Sequence, residues 1–334
     1  MTDAIVILAG FLLLIAGGEL LVRGSVKVAT IAGMSPLLIG ITLVGFGTSM
    51  PELVTSVQAS LAGSPGIAIG NVVGSNIANI LLILGLTAAL APIAVSSAAF
   101  QRDGVLVVVT AIVFNFVGLY LPLDRTVGAA LLVMLIAYLW LAYRQERFAP
   151  SEGHMAPIEK AQAFEGIEPE ELIPSGDAAV AASAREGIVI PLLMALGGLG
   201  LVVAGGKLLV DGATSLARDI GVSETVIGLT IVAIGTSLPE LVTSAVAAYR
   251  KHADVALGNI MGSCIYNVLG IAGATGLIAP TIIPAEVVRF DSLVMLAASF
   301  AMLVFARTGF RLNRLEGAVL LASYFVYLWV LWPK

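Results

Sequence analysis

Histidine, cysteine and charge are all scarce in this chain, and each shortage closes off a class of function. Two histidines and one cysteine in 334 residues cannot assemble a zinc or copper site, which needs clustered imidazole and thiolate donors. His154 and His252 also fall in stretches that read as loops. The lone Cys264 excludes an internal disulfide and reads as a small buried residue at a helix contact. Charged residues make up 12% of the chain, against ~25% in a soluble domain. No basic patch suggests a nucleic-acid partner. The net charge of −5 says little about partners, because the acidic excess sits mostly in one loop.

What is present instead is apolar. Hydrophobic residues make up 59% of the chain, with a mean hydropathy of +1.02. The class is therefore an all-α integral membrane protein. Thirty-six glycines fit close helix packing in lipid, where small residues let backbones approach. Met1-Thr2-Asp3-Ala4 runs straight into an apolar stretch with no basic region before it, which predicts a first transmembrane helix rather than a signal peptide.

A spanning helix needs about 20 mostly apolar residues. That ruler predicts ten spans, near 4–22, 36–61, 67–90, 104–121, 126–143, 188–210, 223–249, 254–278, 286–306 and 314–332. The one long hydrophilic stretch, 144–187, carries Glu165, Glu168, Glu170 and Glu171 and reads as a solvated linker. It separates 1–143 from 188–334, and these two parts are repeats. Residues 41–95 align without gaps on 229–283, with 25 of 55 positions identical. Gly17 to Gly24 answer Gly205 to Gly212, Asp103 answers Asp291 and, after a one-residue slip, Tyr138 answers Tyr327. Each half thus holds five helices. A second copy of an odd-numbered unit inserts upside down, so the halves are expected to be inverted repeats meeting near the midplane. Twelve basic residues fall on one side of this topology and four on the other, which predicts a cytoplasmic linker and both termini outside.

The repeat concentrates its polar residues. Gly47-Thr48-Ser49-Met50-Pro51-Glu52-Leu53-Val54-Thr55-Ser56 returns as Gly235-Thr236-Ser237-Leu238-Pro239-Glu240-Leu241-Val242-Thr243-Ser244. An ionisable residue inside an apolar span is expensive and marks a functional site. Pro51 has no N–H, so the Gly47 carbonyl loses its helical partner, and Gly45 loosens the turn further. Carbonyls freed in this way can act as ligands where the broken helix lines a cavity. Thr48, Ser49 and Glu52 project nearby, and Ala233, Gly235, Thr236, Ser237 and Glu240 repeat the set. On the following helix, Ser75 and Asn79 are four residues apart and share a face, as do Ser263 and Asn267. The inventory is all oxygen, which suits hard cations, and calcium takes six to eight such ligands. Two carboxylates offset one divalent ion. Its departure requires monovalent cations or protons in its place, so exchange follows rather than leak.

These motifs, Gly-Thr-Ser-x-Pro-Glu followed by Gly-Ser-x-x-x-Asn in both halves, resemble the two alpha-repeats of the sodium/calcium exchanger family, within the calcium/cation antiporter superfamily. The resemblance covers essentially the whole membrane portion. It implies ten helices in two inverted sets of five, with the first and sixth sliding against a core. It implies that Glu52 and Glu240 are the central carboxylates, shared by calcium and sodium. Thr48, Ser49, Thr236 and Ser237 match the helix-break hydroxyls, Ser75 and Ser263 the flanking serines, and Asn79 the amide. Gly45 and Ala233 match positions whose carbonyls face sodium. Asn267, where some relatives have Asp, resembles the potassium-independent branch.

The resulting expectation is a prokaryotic-type plasma-membrane antiporter that exchanges sodium for calcium and extrudes calcium. It is not an enzyme and needs no cofactor; its partners are the two ions and the bilayer. A proton/calcium antiporter of the same fold is the alternative, and a cation channel or a non-transporting scaffold lies further off. Asn71 and Asn259 read as helix-packing amides, and Asp103 and Asp291 as structural residues at membrane interfaces. Glu19 and Lys207 occupy equivalent positions with opposite charge and read as salt-bridged or snorkelling.

Overall fold

A computed structural model of the chain describes residues 2–31, 47–95, 97–148, 188–249, 253–307 and 311–332. Gly45, His154, His252 and residues 149–187 of the expected linker lie outside the described residues. The first half comprises α1 (Thr2–Ile31), α2 (Met50–Leu61), α3 (Pro65–Leu90), α4 (Ser97–Tyr120) and α5 (Arg125–Phe148). The second comprises α6 (Val189–Ile220), α7 (Glu224–Thr236), α8 (Leu238–Tyr249), α9 (253–278), α10 (Val287–Arg307) and α11 (Arg314–Leu331).

Eight of these helices are long and apolar enough to cross a membrane, and α7 with α8 makes a ninth, bent by 45°. The remaining expected span, 36–61, is described only from Gly47 onward. Three helices outrun the apolar ruler at their C-terminal ends, and α4 starts at Ser97, seven residues early. α1 continues to Ile31 rather than 22, α6 to Ile220 rather than 210, and α5 to Phe148, five residues past the expected boundary. Hydropathy falls where charges begin, but a helix does not stop there if its charges pair along its surface. Glu19 bonds Arg23 at 2.5 Å and Lys207 bonds Asp211 at 3.0 Å, each one turn apart. α6 ends instead at Gly221, whose φ of 69° is open mainly to glycine.

Burial separates a centre from a rim. The apolar windows of α3 and α9 are 94% and 83% buried, against 22% for α5 and α11. The outer helices show Leu8, Leu12, Val133, Ile136, Trp329 and Val330 to the surroundings, an apolar exterior that suits lipid. α1 and α6 pack along a glycine seam. Gly10, Gly17 and Gly24 recur every seven residues, and Gly198, Gly205 and Gly212 repeat them at an offset of 188. A Cβ on Gly10, Gly17 or Gly24 would come within 2.8, 2.7 or 2.4 Å of α6 atoms, so the helices touch through their backbones.

Contacts between the halves are reciprocal. The short strands β1 (Ile93–Ala94) and β2 (Arg311–Leu312) pair antiparallel through Ile93 and Leu312. The repeat-equivalent pair, Leu123 with Thr281, forms its own antiparallel bridge. Within each half one contact recurs: the Tyr138 hydroxyl donates to Asp103 Oδ1 at 3.3 Å, and Tyr327 donates to Asp291 Oδ1 at 2.9 Å. Both aspartates therefore tie helices together, as the structural reading expects. An Asn313–Glu316 capping box fixes the start of α11.

Candidate functional site

The site begins where two helices break. Ser49 (φ −92°, ψ 11°) and Ser237 (φ −84°, ψ 7°) share one off-helix backbone, two residues before Pro51 and Pro239. The helices that restart there carry Glu52 and Glu240 in their first turns, each 1% exposed. The glutamates are held across the repeat. Ser49 Oγ donates to Glu240 Oε1 at 3.0 Å, and Ser237 Oγ donates to Glu52 Oε1 at 3.0 Å. Each break serine therefore fixes the carboxylate of the opposite half.

The next helices brace this centre. Asn71 Nδ2 donates to the Glu52 carbonyl at 3.1 Å and to Ser56 Oγ at 2.9 Å. Asn259 Nδ2 repeats both bonds to the Glu240 carbonyl and Ser244 Oγ, at 3.4 and 3.0 Å. Asn71 Oδ1 also accepts from Thr236 Oγ1 at 3.0 Å and from Ser75 Oγ at 3.5 Å. These amides are packing groups that set the height of each glutamate. Asn71→Ala is expected to strand the Thr236 hydroxyl and free the α2 backbone. That should cost about 1–3 kcal/mol, read as a lower apparent melting temperature in detergent than for Asn76→Ala. The Asn76 side chain bonds the Val72 carbonyl of its own helix and, among the described residues, no other side chain or backbone group.

The remaining expected ligands fall into two groups. Ser263 Oγ joins the centre, donating to Glu240 Oε1 at 3.3 Å and lying 3.4 Å from Ser49 Oγ. The Ala233 carbonyl is engaged by the Ser237 N–H at 3.1 Å and the Thr236 hydroxyl at 3.3 Å. Others are buried without a protein partner among the described residues: Glu52 Oε2, Thr48 Oγ1, Asn79 Oδ1, and both polar atoms of Asn267. The large majority of buried side-chain polar atoms in folded proteins are paired, so each of these calls for a partner. All but one of these atoms are oxygens, the donors a hard cation takes. No group of three or more His, Cys, Asp or Glu side chains occurs among the described residues.

Two features escape the sequence reading. α3 widens to a π-helix over Ala78–Leu84 and α9 over Asn267–Ala272, at matching places in the repeat. Such turns gather at functional sites, and no residue preference announces them. The second feature is a broken symmetry. A cavity of about 230 Å³ reaches Thr48, Pro51, Pro239 and Thr243 from one face, past Gly18 and Glu19 of α1. The equivalent place on the other face is shut. There a Cβ on Gly206 would lie 2.9 Å from Val54 Cγ1, and Gln58 Nε2 donates to the Val203 carbonyl at 2.9 Å. A Cβ on Gly18 would find Pro51 Cγ only at 3.9 Å.

Comparison with known proteins is consistent with this geometry. The signature of the family described as Sodium/calcium exchanger protein matches residues 2–144 and 190–332. CaxA of Alkalimonas amylolytica is 38% identical, covering 99% of this chain and 98% of its own. The sodium/calcium exchanger MaX1 of Methanosarcina acetivorans is 32% identical, covering 98% and 97%. A solved structure of the sodium-calcium exchanger NCX_Mj, soaked with sodium and calcium, superposes with a TM-score of 0.63 at 31% identity. It covers 100% of this chain and 99% of that one.

Proposed function

The chain belongs to the sodium/calcium exchanger family, and we propose that it exchanges sodium for calcium by alternating access, moving calcium outward. At the family level it is a multi-pass cation/calcium antiporter. The observation that carries the sodium/calcium reading is the pairing of Glu52 and Glu240, each buried and each fixed by a serine of the other half. Two carboxylates offset one calcium ion. Left without a cation at membrane depth they would repel each other at a cost of several kcal/mol, so crossing without a cation is disfavoured.

The ligand set comprises Glu52 and Glu240 with Thr48, Ser49, Thr236, Ser237, Ser75, Ser263, Asn79, Asn267 and the carbonyls of Gly45 and Ala233. Hydroxyls and carbonyls beside each carboxylate suit sodium, which needs oxygen ligands but only one compensating charge. Asn at both 79 and 267 leaves two central acids and favours exchange without potassium.

The architecture is two inverted sets of five helices, 1–143 and 188–334, joined by the 144–187 linker. The reciprocal bridges and tyrosine–aspartate pairs support a two-fold relation between them. α1 and α6, joined along their glycine seam, form the body that slides to close one face and open the other. The basic-residue bias supports a cytoplasmic linker and both termini outside, in a prokaryotic-type plasma membrane. The cavity beside Glu19 is then cytoplasmic.

Radiolabelled calcium uptake into sodium-loaded proteoliposomes tests the coupling. Uptake should require an outward sodium gradient and be absent with choline at fixed pH. Uptake driven equally by a pH gradient in choline would transfer the assignment to protons, and flux without any counter-ion would replace the antiporter with a channel.

A further inference from the structure

α1 and α6 carry one ion pair each at equivalent positions, with the charges exchanged. Position 19 is Glu and position 23 is Arg; their counterparts 207 and 211 are Lys and Asp. Both pairs form along the helix, Glu19–Arg23 at 2.5 Å and Lys207–Asp211 at 3.0 Å. As helix-stabilising contacts the two arrangements differ only slightly, the acid-first order being the better. They are not interchangeable beside an ion path.

Among the described residues lining the cavity that leads to Thr48 and the break prolines, Glu19 is the charged one. Its side chain is 45% exposed, whereas Thr48 beyond it is 2% exposed with its hydroxyl unpartnered. The path thus runs from a half-exposed carboxylate to a buried oxygen. Arg23 stands one turn further along α1 and does not line the cavity. By the two-fold relation, the opposite face on opening would present Gly206 and Lys207 where this one presents Gly18 and Glu19. A cation would there meet an ammonium group first.

Resting on the antiporter reading above, we propose that Glu19 recruits calcium at the mouth of this cavity, while Lys207 makes the opposite mouth a poor cation collector. A charge at a cleft with low-dielectric walls concentrates its counter-ion and speeds capture by about 10-fold or more. The exchanged pairs therefore give one symmetric transport centre two unequal doors. With the Glu19 mouth in the cytoplasm, capture is favoured on the side from which calcium is extruded, and release on the other.

Right-side-out and inside-out membrane vesicles containing the full chain test this. The half-saturating calcium concentration is measured at the exposed face, with saturating sodium opposite. Glu19→Gln should raise it about three- to tenfold at the Glu19 face only, with the maximal rate preserved. Arg23→Gln should lower it at the same face, and Lys207→Gln should lower it at the other. These shifts should fade in high choline chloride, which screens them. A merely structural ion pair predicts that Glu19→Gln and Arg23→Gln act in the same direction and at both faces; that result would overturn the proposal. Wild-type vesicles without exchange in either orientation would instead overturn the antiporter reading beneath it.

Discussion

Glu52→Gln and Glu240→Gln are each expected to reduce sodium-driven calcium exchange by at least about a hundredfold, at preserved expression and dispersity. Each change leaves one carboxylate against a divalent ion, so a net positive charge would be buried among hydroxyls and amides. The uncompensated charge costs several kcal/mol, and each 1.4 kcal/mol is tenfold in binding. The double variant should be little worse than either single one, because both act on one ion. The ion-free protein should respond in the opposite sense. Glu52 and Glu240, each 1% exposed, accept hydrogen bonds from Ser237 and Ser49 respectively, each from the opposite half. Replacing one by Gln removes their mutual repulsion, so the calcium-free variant should melt above the calcium-free wild type. It should also lose the upward shift that calcium gives the wild type. Melting curves in detergent with calcium or a chelator check both signs.

Gly17→Leu is expected to have the other large effect. A Cβ there falls 2.7 Å from Leu201 Cβ and the Val202 nitrogen, and the rest of the side chain has nowhere to go. Overpacking typically costs about 1–3 kcal/mol, and here the obstacle is backbone that cannot rotate away. α1 and α6 would be forced apart, and transport should fall with apparent stability, because the proposed sliding body is this pair. Gly197→Leu supplies the control. Nothing lies within 4 Å of a Cβ at that position on α6, so it should stay within about 0.5 kcal/mol of wild type and keep exchanging. A matched loss in both variants would mean that the seam has no special role.

Much of this arrangement was legible in the sequence because its signals are local. Apolar windows located the eight single-helix spans seen among the described residues, and an offset of 188 without gaps located the repeat. Proline beside glutamate in an apolar run located both breaks. The helix ends of α1 and α6 were not legible, because hydropathy registers Arg23 and Asp211 as exits while the backbone registers them as one more turn. The π-helical stretches at Ala78–Leu84 and Asn267–Ala272 depend on tertiary packing of α3 and α9, not on residue preference. Asn71 and Asn259 could be named as packing amides, but their shared task of holding the carbonyls of Glu52 and Glu240 needed coordinates. The broken symmetry was beyond reach for a different reason. Gly18 and Gly206 are the same residue in the same motif, and only the placement of α1 and α6 against the core makes one open and the other closed.

In the proposed mechanism calcium and sodium compete for one site between Glu52 and Glu240. Equilibrium binding of radiolabelled calcium to the purified protein, titrated with sodium chloride against choline chloride at fixed pH and ionic strength, tests it most directly. Sodium should displace all specifically bound calcium, steeply enough to require more than one sodium ion, and Glu240→Gln should show no specific binding to displace. Calcium that stays bound in saturating sodium, or that binds Glu240→Gln as it binds the wild type, would contradict the account.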